Sequence, residues 1–177
     1  MPAPRLLSLP GCLLALGLLV GFAAPSSASA QRRFAIFAEA GSGVSIAGSD
    51  GQALVRRTPT YLEAGMFSWL AHDDGVWVGG SLRAEIEDRA SIGGVVRAGF
   101  FLRADILELR PAIGLVAFLA PYTLVGAEVG LVCALALGDV VAITARILVD
   151  GFFTGSDLVP GSILLMANGA VGVEIRL

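Results

Sequence analysis

The sequence predicts an all-β fold: an eight-stranded antiparallel up-and-down transmembrane β-barrel, preceded by a cleaved signal peptide. Apolar and polar residues alternate along most of the chain. Because successive side chains of a strand point to opposite faces, this alternation gives each strand one apolar and one polar face. The composition is 55% hydrophobic and only 15% charged, against roughly 25% charged residues in an ordinary globular domain. The apolar face is too extensive for a small soluble core, which indicates lipid outside the barrel and charge within it.

The first thirty residues have the pattern of a secretory signal peptide. Arg5 supplies a positive charge, residues 6–24 form an apolar run, and Ala28-Ser29-Ala30 provides an A-x-A cleavage site. This site favours cleavage over an uncleaved membrane anchor. We therefore expect a signal peptide of residues 1–30, followed by a barrel domain of residues 31–177.

The first half of the barrel domain contains four alternating segments. In the third, Val76, Val78 and Leu82 lie on one parity while Trp77 and Arg83 lie on the other. The second segment is less regular, because two aromatic residues near its end fall on the inner parity. The pattern leaves open whether a bulge changes the direction of their side chains. The four predicted strands cover residues 33–46, 58–72, 76–87 and 91–103.

The second half contains four more segments, and its last one has one apolar and one largely ionic face. Val171, Val173, Ile175 and Leu177 share one parity, whereas Gly172, Glu174 and Arg176 share the other. The four predicted strands cover residues 107–119, 125–137, 141–150 and 162–177.

Two other architectures compete with the barrel. Residues 111–138 are apolar enough to suggest a membrane helix, but Pro111, Pro121 and Glu128 oppose it. An acidic side chain at the centre of a membrane helix costs about 2.5–3.5 kcal/mol. A soluble barrel of the lipocalin type would place the apolar face inside, and the charged parity is too narrow to form its exterior. Both alternatives rank behind the transmembrane barrel.

The connections between the predicted strands differ in length. Short turns are expected near residues 73–75, 104–105 and 138–139, and long loops at 47–57 and 151–161. If the N-terminus is periplasmic, all three short turns lie on the periplasmic side and both long loops lie outside. Short inner turns with longer outer loops are typical of outer-membrane barrels.

The whole region after the signal peptide resembles the small eight-stranded outer-membrane barrels of Gram-negative bacteria. The resemblance rests on the alternation, the even number of strands and the lengths of the connections. It implies an outer-membrane location with both termini periplasmic, and contact with outer-membrane lipid and lipopolysaccharide. It also implies insertion by the barrel-assembly machinery and a monomeric state.

Charged residues on the inner parity predict a structural network inside the barrel. An eight-stranded barrel is just wide enough for side chains to fill it, so charges of mixed sign should pair there. Two of the arginines, Arg97 and Arg146, are each expected to lie between carboxylates. The predicted luminal charge network consists of Glu39, Glu63, Arg83, Arg97, Glu128 and Arg146.

No catalytic, cofactor or metal site is predicted. His72 is the only histidine, and Ser68 lies four residues away along the same strand, about 13 Å at a rise of roughly 3.3 Å per residue. A net charge of −3 without any basic run argues against binding of nucleic acid. We therefore expect a structural or anchoring barrel that is not an enzyme. A narrow or gated pore and an outer-membrane lipid-modifying enzyme remain as alternatives.

Overall fold

The computed structural model describes residues 34–49, 52–70, 75–87, 90–159 and 161–177. These residues form strands and turns, and the predicted signal peptide, His72 and the turn residues 73–74 lie outside them. Within the described ranges, no helix has the length and apolar character needed to span a membrane. The strands are β1 (Phe34–Ser49), β2 (Gln52–Arg57), β3 (Tyr61–Trp69), β4 (Val76–Glu85), β5 (Ile92–Phe100), β6 (Leu102–Ala104), β7 (Leu107–Ala120), β8 (Leu124–Ala136), β9 (Val141–Gly155) and β10 (Leu164–Arg176).

The strands form one closed antiparallel barrel. The order around it is β10-β9-β8-β7-β5-β4-β3-β1, and β1 also pairs with β10. That closing pair runs from Ala35 opposite Arg176 to Ala47 opposite Leu164. The short β6 pairs with β7 as β5 does, and β2 pairs with β1 beyond the point where β3 stops. Ten segments thus build eight barrel strands, and the prediction of an all-β, eight-stranded antiparallel barrel is confirmed.

Both predicted long loops are shorter than expected. β1 continues to Ser49, and β2 returns beside it with Gln52 opposite Ser49, so residues 47–57 form a hairpin rather than a loop. The tip residues 50–51 lie outside the described ranges. β9 continues to Gly155, which leaves 156–163 as the connection to β10. Glycine, serine and aspartate mark a turn in the sequence, but they do not show how far the flanking strands extend toward it.

The shorter turns agree with the sequence. The connection between β6 and β7 contains Asp105, whose φ is 55°, and the connection between β8 and β9 contains Gly138, whose φ is 122°. Aspartate and glycine are among the residues that adopt positive φ most readily. Both turns lie at the end of the barrel where β1 begins and β10 ends, which we call the terminal rim. The opposite end, with the β1–β2 hairpin and residues 156–163, is the far rim.

The two faces of the strands have the predicted polarity. Outward residues are highly exposed, with Ile113 at 71%, Leu115 at 66% and Ile147 at 70%. Inward residues such as Glu63 are almost inaccessible. Phe67, whose orientation the sequence left open, also points inward, because β3 pairs with β1 and β4 without a register shift.

Glycines on the inner face make room for large luminal side chains. Arg97 lies opposite Gly79 on β4 and Gly114 on β7. A Cβ atom at Gly114 would come within 2.6 Å of the Val96 carbonyl oxygen and 3.0 Å of Arg97 Cγ. Small residues beside large ones are how the interior of a narrow barrel is filled. The glycines therefore let the Arg97 side chain extend across the lumen.

Candidate functional site

The middle of the lumen holds four carboxylates and three guanidinium groups. Six strands contribute through their inner parity, and every one of these side chains is at most 6% exposed. Six of the residues are those predicted from the sequence, and Asp150 is the seventh. We call this set the mid-lumen network: Glu39 on β1, Glu63 on β3, Arg83 on β4, Arg97 on β5, Glu128 on β8, and Arg146 and Asp150 on β9.

Arg97 bridges two carboxylates on opposite sides of the lumen. Its Nη1 donates to Oε1 of Glu63, and its Nε donates to Oε1 of Glu128. Nη2 donates to Oε2 of Glu128 at 2.9 Å and to Oε2 of Glu63 at 3.2 Å. Ser81 Oγ accepts from Nη1 at 2.9 Å. The planar fork of an arginine suits such paired contacts, because it offers five donors in a fixed geometry.

Arg83 contacts three carboxylates with three different nitrogens. Nε donates to Oε2 of Glu63 at 2.9 Å, and Nη2 donates to Oε2 of Glu128 at 2.7 Å. Nη1 donates to Oδ2 of Asp150 at 2.9 Å. The guanidinium carbon lies 4.8 Å from the centre of the Tyr61 ring, within the range of a cation–π contact.

Arg146 lies between Glu39 and Glu63. Its Nη1 is 3.2 Å from Oε2 of Glu39 and 3.1 Å from Oε1 of Glu63. Thr144 Oγ1 donates to the other oxygen of Glu39 at 3.2 Å. Glu63 therefore contacts all three arginines and is the centre of the network.

A second ionic cluster lies nearer the terminal rim. Arg110 Nη1 is 2.5 Å from Oε2 of Glu174, and its Nη2 is 3.0 Å from Oε2 of Glu108. Arg176 contacts the same two carboxylates at 3.0 Å each. Arg103 reaches Glu108 at 2.7 Å from the solvent side, where its side chain is 60% exposed. The sequence analysis predicts one luminal network and did not indicate this separate cluster.

Aromatic and aliphatic side chains pack beside both ionic groups. The Arg110 guanidinium carbon lies 4.9 Å from the Phe67 ring centre and 5.0 Å from that of Phe101. The aromatic wall toward the terminal rim consists of Phe37, Phe67, Trp69, Trp77 and Phe101. The apolar cluster toward the far rim consists of Val95, Val116, Phe118, Leu124 and Phe152.

Side chains leave little space in the lumen. A cavity of about 10 Å³ lies between the mid-lumen network and the aromatic wall, and its lining includes Glu39, Trp77, Arg110 and Arg146. A single water molecule needs roughly 10–15 Å³ of such space. The arrangement of the described residues is therefore that of a filled, ion-paired lumen inside a closed barrel.

The chain has the fold of the small eight-stranded outer-membrane barrels. It superposes on Neisserial surface protein A with a TM-score of 0.50 and 13% sequence identity, covering 81% of this chain and 97% of that one. It superposes on Ail, the attachment invasion locus protein of Yersinia pestis, with a TM-score of 0.52 and 14% identity, covering 83% of this chain and 100% of that one. At these identities the similarity concerns the fold. No family model matches the sequence, and no curated protein matches it.

The sequence predicts a strand that continues to residue 87, but Glu87 lies beyond the end of β4 at the far rim. It accepts a hydrogen bond from Thr60 Oγ1 at 2.5 Å and forms a 3.0 Å ion pair with Arg57, whose side chain is 66% exposed. The hydrogen bond from Thr60, followed by the charge of Arg57, lowers the pKa of Glu87. The alternation ended at Glu85, and the sequence pattern did not mark that end.

A buried carboxylate also lies near the far rim. Glu85 accepts hydrogen bonds from Ser91 Oγ at 2.5 Å and from Tyr122 Oη at 2.6 Å. Burial, together with the hydrogen bond to Glu85, raises the pKa of Tyr122 to about 12. Ser91 is fully buried, so its hydroxyl contacts protein rather than solvent. Among the described residues, no group of three or more His, Cys, Asp or Glu side chains is placed to hold a metal ion.

Asp150 is the network residue that the sequence prediction left out. It shares the inner parity with Arg146, but it was placed at the end of a strand next to the predicted loop 151–161. Because β9 continues to Gly155, Asp150 lies well inside the barrel and is 1% exposed. Asn168 joins it from β10, with Nδ2 3.3 Å from Oδ2 of Asp150. Continued alternation through Phe152 was the signal that could have placed Asp150 in the lumen.

Proposed function

We propose that the protein is an integral outer-membrane protein with a structural or anchoring role and no catalytic activity. Its lumen is closed by the mid-lumen network, and its N- and C-termini are periplasmic. The observation that carries the proposal is the reversed polarity of the barrel, with ion pairs inside and apolar side chains outside. Soluble proteins rarely expose contiguous apolar surface of this extent. A lipid environment satisfies the outer face, and mutual pairing satisfies the inner one.

The closure of the barrel is a second reason to propose a membrane location. In hydrocarbon every backbone N–H and C=O needs an internal partner, and a closed sheet provides one at each position. The pairing of β1 with β10 removes the edge that an open sheet would expose. The chain also begins with a predicted export signal, residues 1–30, whose removal would leave residues 31–177 to reach the outer membrane through the barrel-assembly machinery.

The short turns and the far-rim hairpin support this orientation. The terminal rim carries the tight turns at Asp105 and Gly138, and we assign it to the periplasm. The far rim, with the β1–β2 hairpin, then faces outward. Arg56 and Arg57 at that rim are exposed, and their charge suits the phosphates of lipopolysaccharide. The protein acts as a monomer in this proposal, because one chain closes the barrel.

A structural role fits the lumen better than a conducting one. To open a path, Arg97 would have to leave Glu63 or Glu128, and Arg83 would have to leave up to three carboxylates. Leaving a buried charge without its partner typically costs about 3–5 kcal/mol. A rearrangement that separates several of these pairs is therefore unfavourable.

Membrane fractionation tests the location. The full chain should be recovered in the outer-membrane fraction and should migrate differently on a denaturing gel before and after heating. A variant lacking residues 1–30 is the matched control, and it should remain in the cytoplasm without that heat-dependent shift. Recovery of the full chain in the cytoplasm, with no shift, would contradict the proposal.

Planar-bilayer recording tests the structural role. The purified protein should insert without measurable ion conductance, because side chains fill the lumen. An Arg83→Ala, Arg97→Ala double variant is the positive comparison, since it removes two of the three bridging cations. Steady conductance from the unaltered protein would refute the closed lumen and support a narrow pore instead.

A further inference from the structure

We propose that the mid-lumen network binds one proton, which is shared between Asp150 and Glu128. The Oδ1 atom of Asp150 carries the proton and donates a hydrogen bond through it to the carboxylate of Glu128. The proton balances the charge of the network, which would otherwise hold one uncompensated negative charge. The inference rests on the proposed function only in that lipid around the barrel keeps bulk water away from the lumen.

The mid-lumen network contains more carboxylates than guanidinium groups. The network holds four carboxylates (Glu39, Glu63, Glu128, Asp150) and three guanidinium groups (Arg83, Arg97, Arg146), so with all groups ionised its charge is −1. The cluster near the terminal rim cannot offset it. Its cations Arg110, which is buried, and Arg176, which is partly buried, already face two carboxylates, and Arg103 is exposed to solvent. An isolated charge buried in a protein is so costly that the group usually becomes neutral instead.

The hydrogen bonds indicate that Asp150 is the group that becomes neutral. Glu63 contacts three guanidinium groups and Glu128 contacts two, but Asp150 contacts only Arg83. Both donors to Asp150 reach the same oxygen: Arg83 at 2.9 Å and Asn168 at 3.3 Å, each to Oδ2. Oδ1 is buried and has no hydrogen-bond partner among the described residues. A carboxyl group with one accepting oxygen and one without a donor has the pattern of a protonated acid.

Glu39 is the other carboxylate with a single cation, and its contacts differ. One of its oxygens accepts from Thr144, and the other lies 3.2 Å from Arg146 Nη1. Like Oδ1 of Asp150, this second oxygen, Oε2, has no hydrogen-bond partner among the described residues, but it forms an ion pair with Arg146. Each oxygen of Glu39 therefore faces a donor or a cation, as an ionised carboxylate requires. Asp150 has an oxygen that faces neither.

The register supplies the acceptor for the proton. Asp150 on β9 lies directly opposite Glu128 on β8, so two carboxylates form a cross-strand pair. Like charges in that position repel each other, whereas an acid and a carboxylate attract. The groups around the pair are Arg83 on β4, Arg97 on β5 and Asn168 on β10, with Glu63 on β3 beyond the arginines. Both arginines donate to Glu128, which holds it ionised and leaves the proton on Asp150.

Infrared spectroscopy of the folded protein in lipid vesicles tests the assignment. Near neutral pH the unaltered protein should show the carbonyl stretching band of a protonated carboxylic acid, and Asp150→Asn should lose it. Asp105→Asn, at an exposed turn, is the matched control and should keep the band. If the unaltered protein lacks the band, or if Asp150→Asn retains it, the proposal is wrong.

Unfolding in urea gives an independent readout. Because Asp150→Asn replaces a neutral acid with a neutral amide, its unfolding midpoint should equal or exceed that of the unaltered protein. Glu63→Gln removes an ionised partner of three arginines and should lower the midpoint clearly. An equal loss in both variants would show that Asp150 is ionised and would overturn the proposal. Failure of membrane fractionation, in contrast, would concern the location alone, since both readouts use purified folded protein.

Discussion

Replacing Arg97 with alanine should destabilise the barrel by about 3–5 kcal/mol, the usual cost of leaving a buried ionic partner uncompensated. Arg97 is 4% exposed and donates to Glu63, Glu128 and Ser81. Its removal leaves Glu128 with Arg83 as its remaining cation, and it makes the charge of the network more negative by one. Glu63 keeps Arg83 and Arg146, which limits the loss.

The neighbouring Val96 provides the comparison, because it differs from Arg97 mainly in the face that it occupies. Val96 is 52% exposed on the outer face. Val96→Ala removes two carbon atoms that are about half buried, and at roughly 0.8 kcal/mol per fully buried carbon the loss is about 1 kcal/mol or less. Lipid around the outer face replaces part of the contact that the two deleted carbon atoms made. The two variants should therefore differ by at least about 2 kcal/mol.

Equilibrium unfolding in detergent or lipid measures this difference. Trp69 and Trp77 lie in the aromatic wall, so their fluorescence should report the loss of luminal packing. Arg97→Lys should fall between the two variants, since it keeps the charge but loses the paired geometry. A neutral Arg97→Ala together with a severe Val96→Ala would mean that the two faces have been assigned the wrong way round.

Three further predictions concern processing, closure and packing. Intact mass of membrane-extracted protein should give Gln31 as the first residue, and retention of residues 1–30 would contradict the cleavage site. Deleting residues 173–177 should block formation of a protease-resistant barrel more than deleting residues 156–159, because only the first deletion removes pairing with β1. Equal assembly of the two variants would argue against closure of the barrel by β1 and β10. Gly114→Ala should lower the free energy of unfolding by about 1–3 kcal/mol, because the added methyl group overpacks the lumen. At Gly94 the nearest atom to a new Cβ is 3.8 Å away, so Gly94→Ala should be tolerated. Similar losses of stability in the two variants would refute this packing argument.

The sequence predicted the faces of the barrel well, because alternation follows directly from strand geometry. Arg97 and Glu128 were placed on the inner parity, and a narrow barrel leaves such residues few positions other than its centre. The order of the strands also followed, since short turns join antiparallel neighbours.

The ends of the strands and the partners within the lumen were harder to predict. Asp150 was left out of the network because Gly151 and the glycines after it resemble a loop, although the backbone continues as a strand. Pairing across the lumen depends on register and on the shear of the barrel, and alternation fixes neither. Arg83, for example, contacts Asp150, which is 67 residues away and on a strand that is not its neighbour.

The distance along the chain between luminal partners has a consequence for how the barrel forms. Arg146 and Glu63 are separated by 83 residues, Thr144 and Glu39 by 105, and Thr58 and Asn168 by 110. None of these partners can meet before strands from both halves of the chain have come together. Until then each luminal charge needs hydration, because burying it alone would be prohibitive. The luminal charges of the nascent barrel therefore need water until their partners arrive, and that water can leave only as strands from the two halves of the chain come together.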